Sequence, residues 1–292
     1  MERTNSQKSA LRAIRRKSYI KDNWWVWLLK ALLLLIAFFI IVPFFWMITS
    51  SLKTTQEYLT TPIVWFSRTP QWSNYVEVMG KLQFYRYIGN SLILAVLSVL
   101  FNVFSSAFVA FGFSRFNFKG SALLFGIIIA TMMLPGQAMI VPQFLLFKEM
   151  GWTKSFLPLV VPQLCGSAGN ILLITQFMKG VPKEIDDAAK VDGAGSLAIF
   201  LRIMLPQVVP ILIVTSLFTF LSSWKDSFGP LIYLRSELLY TVPLALMTFI
   251  SPENPNRGIL FTGLTIALVP TILVYVFGQK YLENGIVIAD LK

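Results

Sequence analysis

Residues 183–206 read KEIDDAAKVDGAGSLAIFLRIMLP, a polar, charged island between two long apolar runs. Pro182 suits a first helical position, where its missing N–H costs nothing. Glu184, Asp186 and Asp187 then fall in the opening turns, where the helix dipole favours negative charge. Ala188 and Ala189 are strong helix formers with almost no side chain, and Gly193 is a natural C′ stop. Ser196 is placed to cap a second helix running by Leu197, Phe200 and Leu201 into Leu205 and Pro206. The stretch predicts helix, tight turn, helix, with Glu184, Asp187, Ala188 and Val191 on one face at spacings of three and four. That face has a small, smooth centre and acidic edges, a shape suited to docking into another protein; a solvated amphipathic loop helix is the plainer alternative.

The chain around this island has 292 residues, of which 55% are hydrophobic and only 13% charged. A soluble domain carries about twice that charged fraction. Membrane immersion leaves helices or a closed barrel, and continuous rather than alternating apolar segments select helices. The net charge of +11 does not call for nucleic acid, because a surplus of six lies in the first thirty residues, where Arg3, Lys8, Arg12, Arg15, Arg16, Lys17, Lys21 and Lys30 face only Glu2 and Asp22. Such a flank stays in the cytoplasm. Histidine is absent, which removes the usual metal ligand and general base, and no carboxylates are paired inside an apolar run. The single cysteine, Cys165, permits no internal disulfide and reads as a small core residue. No G-x-x-x-x-G-K-[ST] occurs, so ATP binding of that kind belongs to another chain. The sequence predicts no catalytic residue, no metal site and no cofactor on this chain.

Six apolar segments are long enough, at about 1.5 Å per residue, to cross a core of about 30 Å. They run over 25–49, 90–111, 123–147, 155–177, 208–224 and 260–277. Trp24, Trp25 and Trp27 mark the first interface, and the first segment is read as a retained helix rather than a cleaved signal peptide. The polar stretch 53–88, with Trp65, Trp72 and Tyr75, falls outside, where its aromatics either stack on a ligand or pack the loop. The third segment is interrupted at Leu134-Pro135-Gly136 and again at Pro142, and broken membrane helices tend to line cavities or move. Counting crossings puts the island of 183–206 on the inside, with both termini.

The acidic residue Asp187, the pair Ala188-Ala189, Gly193 four residues on, and Ile203-x-Leu205-Pro206 after nine more have the spacing of the EAA signature, and the chain resembles the permeases of ABC importers. The turn Ser114-Arg115-Phe116-Asn117-Phe118-Lys119-Gly120 resembles the A-R-F-x-F-x-G turn of the carbohydrate branch. Residues 220–228 resemble its F-x-x-x-W-N-x-F segment, with Lys225 in place of Asn and Phe228 one position late. The overall match is to the second permease of oligosaccharide importers, including maltose-type systems.

The resemblance implies an all-α, six-crossing type I importer permease fold. It divides the chain into 1–85 (cytoplasmic N-terminus, first crossing, first extracytoplasmic loop), a shared permease domain over 86–280 with its coupling loop at 181–206, and a cytoplasmic tail over 281–292. It implies a multi-pass protein of the cytoplasmic membrane, pairing with a second permease. Two ATP-binding cassette subunits, which hold the ATP and Mg, and an extracytoplasmic solute-binding protein complete the assembly. The ATPase-coupling residues are then Glu184, Asp187, Ala188, Ala189, Gly193, Ile203, Leu205 and Pro206. Asp187 stands where the family has Glu and reaches roughly 1.5 Å less far, so Glu184 or Asp186 is a candidate to share a contact with a basic residue of the ATPase.

Within the expected segments Lys30 is the only Asp, Glu, Lys or Arg, at a depth from which it can snorkel. An interior without ionisable groups argues against a proton- or sodium-driven carrier. Neutral polar groups with aromatics suit a hydroxyl-rich sugar, and Asn90, Asn102, Asn170, Gln176, Ser222, Ser223 and Trp224 are the candidates for its pathway. Each of these taken alone is more often a helix–helix hydrogen bond than a ligand contact. An ABC permease for an amino acid, peptide or polyamine, and a secondary carrier or channel acting alone, are the alternatives.

Overall fold

The computed structural model describes residues 24–58, 60–249 and 256–289, and among these all regular structure is helical. The basic flank before residue 24, residue 59, residues 250–255 and the final residues 290–292 lie outside the described residues. The main helices are α1 Trp24–Ser51, α2 Phe84–Arg115, α3 Ser121–Thr131, α4 Ile140–Glu149, α5 Ala168–Lys179, α6 Glu184–Val191, α7 Val209–Lys225, α8 Phe228–Tyr233, α9 Val242–Phe249 and α10 Arg257–Ala289.

The organising element is α2, which starts earlier and ends later than its expected apolar segment. Ser91, Ala95, Ser98, Asn102, Ser106, Ala110 and Ser114 are all buried along it. Their spacing of three or four keeps them on one face, and small residues there let α5 and α7 pack closely against it. The approach is tightest at Gly166, where φ is +72° and an added Cβ would stand 2.8 Å from the Ser106 hydroxyl. Only glycine meets both demands. It breaks the fourth crossing into short turns over 157–165 followed by α5.

Two pairs of consecutive helices meet at sharp bends. Ser121–Thr131 and Gly136–Glu149 meet at 92°, and Ser196–Gln207 meets Val209–Lys225 at 80°. The first break falls at the expected Leu134-Pro135-Gly136. Pro142 makes no second one, because it sits in the first turn of α4, where a missing N–H breaks no hydrogen bond. Among the described residues four helices are long and apolar enough to cross a membrane, or up to six if each bent pair is one span.

The core is split between the two ends of the bundle. At one end Trp224, Phe84, Val242 and Ile259 pack together. At the other, Phe111 of α2, Met178 of α5, Ala189 of α6 and Phe200 form a second cluster. By contrast, no residue in the most apolar window of α1 is buried. This helix is held at its end, where the Ser51 carbonyl accepts from Asn74 Nδ2 at 2.9 Å and Thr262 Oγ1 at 3.1 Å. Cys165, the last residue of the short turns preceding Gly166, is exposed and not a core residue.

Candidate functional site

The first candidate surface is α6 and the turn that follows. Asp187 N–H bonds to the Lys183 carbonyl, so Lys183 caps the helix and Pro182 stands one residue before the cap, not at the first helical position. At the other end Gly193 has φ +84°, its N–H bonds to Lys190, and the Ala194 N–H reaches back to Ala189 at 2.9 Å. That pair of bonds is a Schellman closure, which favours glycine at this position. The next helix starts at Ser196, but its N-cap is Gly195 and the serine hydroxyl makes no capping bond. It widens over Ile199–Met204 into a π-helix before Pro206.

Glu184, Asp187, Ala188 and Val191 share the exposed face, while Ala189 is buried and Ile203 and Leu205 pack partly buried against the Phe200 cluster. Pro206 is exposed. Phe200, fully buried, touches the rings of Phe104, Phe108 and Phe111. The segment following α6 is thereby anchored in the bundle by one aromatic plug.

Asp186 turns the opposite way. Its Oδ2 lies 2.6 Å from Nε of Arg115, and the side chains retain 6% and 5% exposure. The expectation that Asp186 shares an outward contact is therefore corrected: a buried carboxylate already paired is not available. Arg115 also donates from Nη2 to the Val181 carbonyl at 3.0 Å. Asp187, wholly at the surface, pairs with Lys190 at 2.8 Å. That hydrogen bond and the lysine's charge hold its carboxyl below the usual range.

The second candidate is a cavity of about 780 Å³ between α2, α5, α7 and α8. Its hub is Asn102, whose Oδ1 accepts from Asn170 Nδ2 at 2.7 Å, Ser167 Oγ at 3.2 Å and Ser106 Oγ at 3.3 Å. Asn102 Nδ2 donates to Gln163, and Asn170 Nδ2 donates also to Thr219 on α7. Ser222 and Ser223 line the same wall.

Three of the expected pathway residues lie elsewhere. Asn90 donates to the carbonyls of Leu238 and Tyr240, stapling the start of α2 to the segment before α9. Trp224 is 5% exposed, stacks on Phe220 and donates to the Ala267 carbonyl. Gln176 is exposed and does not line the cavity. Each position is polar within an apolar run, but α2, α5 and α7 each have more than one face, and the run alone does not say which face a residue takes.

The sequence reading also missed two charges. α7 continues one residue past its expected end, so Lys225 lines the cavity with Asp226. The cavity is not free of ionisable groups, as the segment count had implied. Asp226 Oδ1 is occupied, accepting from the N–H groups of Phe228 and Gly229 at 3.0 and 3.2 Å. The departure of Lys225 from the family pattern was the available signal.

Comparison with known proteins places these features in context. The model of the family described as binding-protein-dependent transport system inner membrane component matches residues 102–288. A probable ABC transporter permease protein, YurM of Bacillus subtilis, is 32% identical, covering 95% of this chain and 91% of its own. The arabinooligosaccharides transport system permease protein AraQ of the same organism is 28% identical, over 86% of this chain and 90% of its own. Among solved structures, a bacterial ABC transporter involved in the import of the acidic polysaccharide alginate contains a similar chain. Its TM-score is 0.78 at 21% identity, covering 87% of this chain and 95% of that one.

Proposed function

The chain belongs to the family of binding-protein-dependent transport system inner membrane components, and from that premise we propose that it forms half of the translocation pathway of an ATP-driven importer of di- or oligosaccharides. The observation that carries the reading is the two-sided construction of α6. One face, with Glu184, Asp187, Ala188 and Val191, is exposed and nearly smooth. The other is fixed to the bundle by Ala189 and by the Asp186–Arg115 pair. A helix so backed transmits a push instead of absorbing it.

In this mechanism no residue of the chain reacts. Two separate ATPase subunits hold the nucleotide, each gripping the exposed face of a coupling helix, and their closure carries α6 as a rigid body. The displacement passes through Phe200 and the segment ending in Pro206 into the 80° bend before α7. Pro206 and Pro210 remove backbone donors there, leaving the bend fewer hydrogen bonds to break. A second permease supplies the facing wall, and an extracytoplasmic binding protein delivers the sugar. The loop and both termini face the cytoplasm. Contacts in the two states must differ by a few kcal/mol to reverse the resting bias.

Sugar as cargo is supported by the arabinooligosaccharide relative and by the amide and hydroxyl lining around Asn102, Asn170, Ser222 and Ser223. Lys225 and Asp226 favour a second reading, a charged solute such as an amino acid or peptide. The deciding experiment is uptake by the reconstituted complex. Sugar-dependent, ATP-driven accumulation that Ala188→Arg abolishes supports the proposal; accumulation of amino acid or peptide but not sugar supports the second reading, and uptake without ATP overturns both.

A further inference from the structure

A second cavity, of about 480 Å³, opens at the end of the bundle that carries α6, between the end of α2, the start of α3 and Lys179 at the end of α5. Its charged lining residues are Arg115, Lys179 and Lys183, with no carboxylate among them. The Arg115 side chain is 5% exposed; Nε faces Asp186, Nη2 donates to the Val181 carbonyl, and Nη1 is buried with no hydrogen-bond partner. Beside it begins α3, whose N-terminus no side chain caps and whose Ser121 and Ala122 line the cavity. At this start the Ser121 N–H already bonds to the Phe118 carbonyl, and the partial positive charge of the helix start favours an anion.

The other lining is aromatic, with Phe113, Phe116 and Phe125, and Lys179 Nζ stands 5.6 Å from the Phe125 ring centre. Immediately along α3, Leu123, Leu124 and Ile127 are exposed. A cationic cup continuous with an apolar exposed helix matches an amphiphile with an anionic head better than a free ion, which has no use for the leucines.

We propose that this cavity holds the phosphate-bearing headgroup of an anionic phospholipid, its acyl chain lying along α3. The site rests only on the chain spanning a membrane and not on the identity of the cargo. It shares Arg115 with the pair that backs α6, so the lipid and the coupling segment meet at one side chain.

The test is native mass spectrometry of the full-length chain released from mixed micelles of phosphatidylglycerol and phosphatidylcholine. Phosphatidylglycerol is expected to be retained preferentially, and millimolar inorganic phosphate to leave it in place. The double variant Lys179→Gln/Lys183→Gln lowers the preference roughly 30-fold, at about a fivefold loss for each cation near an anionic lipid, whereas Lys179→Arg/Lys183→Arg retains it. Lys119→Gln, a cation outside the cavity lining, serves as control and leaves retention unchanged. Equal retention of the two lipids overturns the proposal, as does survival of the preference in the glutamine variant. Loss in the arginine variant or an equal loss in the control also overturns it. Displacement by inorganic phosphate would reassign the cavity to a free anion and overturn the lipid.

Discussion

Arg115 and Asp186 join the end of the central helix to the hidden side of α6, with Nε and Oδ2 2.6 Å apart and both side chains almost fully buried. A buried pair of this kind is worth little against an apolar substitute, but losing one partner strands the other charge. Asp186→Asn or Arg115→Met alone should therefore cost about 3–5 kcal/mol. Hydrogen exchange of 184–194 is expected to accelerate sharply in either. The double variant Arg115→Met/Asp186→Leu should be less destabilised than either single one; equal or additive losses would remove the pair from the account.

On the exposed side the expectation is the reverse. Ala188 is exposed, so Ala188→Arg should leave the thermal midpoint unchanged while weakening association with the ATPase roughly thirtyfold, or about 2 kcal/mol. Gly193→Asp meets no neighbouring atom within 4 Å, but places a side chain at φ +84°. Backbone strain of about 1–2 kcal/mol is expected there, visible as fraying of the end of α6 before any loss of membrane insertion. Co-purification and thermal melts of the two variants separate the effects.

The cavity wall divides into residues that hold the bundle and residues that face its content. Asn102→Leu removes the acceptor of Asn170 and Ser167, at about 1–3 kcal/mol for each buried donor left unpaired, and melting should detect it. Ser222 lines the cavity and is exposed to it. Ser222→Ala should leave stability intact and weaken the apparent affinity for sugar by about two- to tenfold, the equivalent of one hydrogen bond. An unchanged KM for every sugar tried would take Ser222 out of the pathway.

Acid should loosen the segment after α1. Burial alone would raise the Glu57 carboxyl, but N–H bonds from Thr54 and Arg68 and hydroxyl bonds from Ser67 and Thr54 outweigh it, and the group sits below its ordinary 4.5. A carboxylate whose folded value is depressed stabilises the fold above the unfolded value, and that contribution fades as pH drops through the folded one. Tryptophan emission from Trp65 is expected to be constant above pH 5 and to shift below about 4.5. Glu57→Gln should flatten that transition; an identical shift in the variant would point to another group.

What could be read from the sequence was local. The face and stop of α6 follow from residues within one turn of each other, as does the break at Pro135, while its start falls later than Pro182 suggests. Proline bends a helix only where its missing donor was needed, as at Pro135, whereas Pro142 in the first turn of α4 bends nothing. The inward turn of Asp186 was not legible, because its partner lies on α2 and nothing adjacent distinguishes it from Asp187. The same holds for Asn90 and Trp224, whose hydrogen bonds end on the backbone near α9 and on α10. The cavity needed three dimensions for a further reason: its hub joins α2 to α5, and Asn170 carries the network on to α7, at positions far apart in the chain.

The crowding of three donors around the single Oδ1 of Asn102 has a mechanical corollary. α2, the turn around Gly166 and α5 are clamped together, and Thr219 brings α7 into the same clamp, so side-chain hydrogen bonds tie these segments into one block. The opposite side is joined more loosely, since Tyr233 of α8 meets Phe144 and Phe147 of α4 through ring contacts. Aromatic faces can slide where amide bonds must break, so the asparagine block is the stiffer of the two joints.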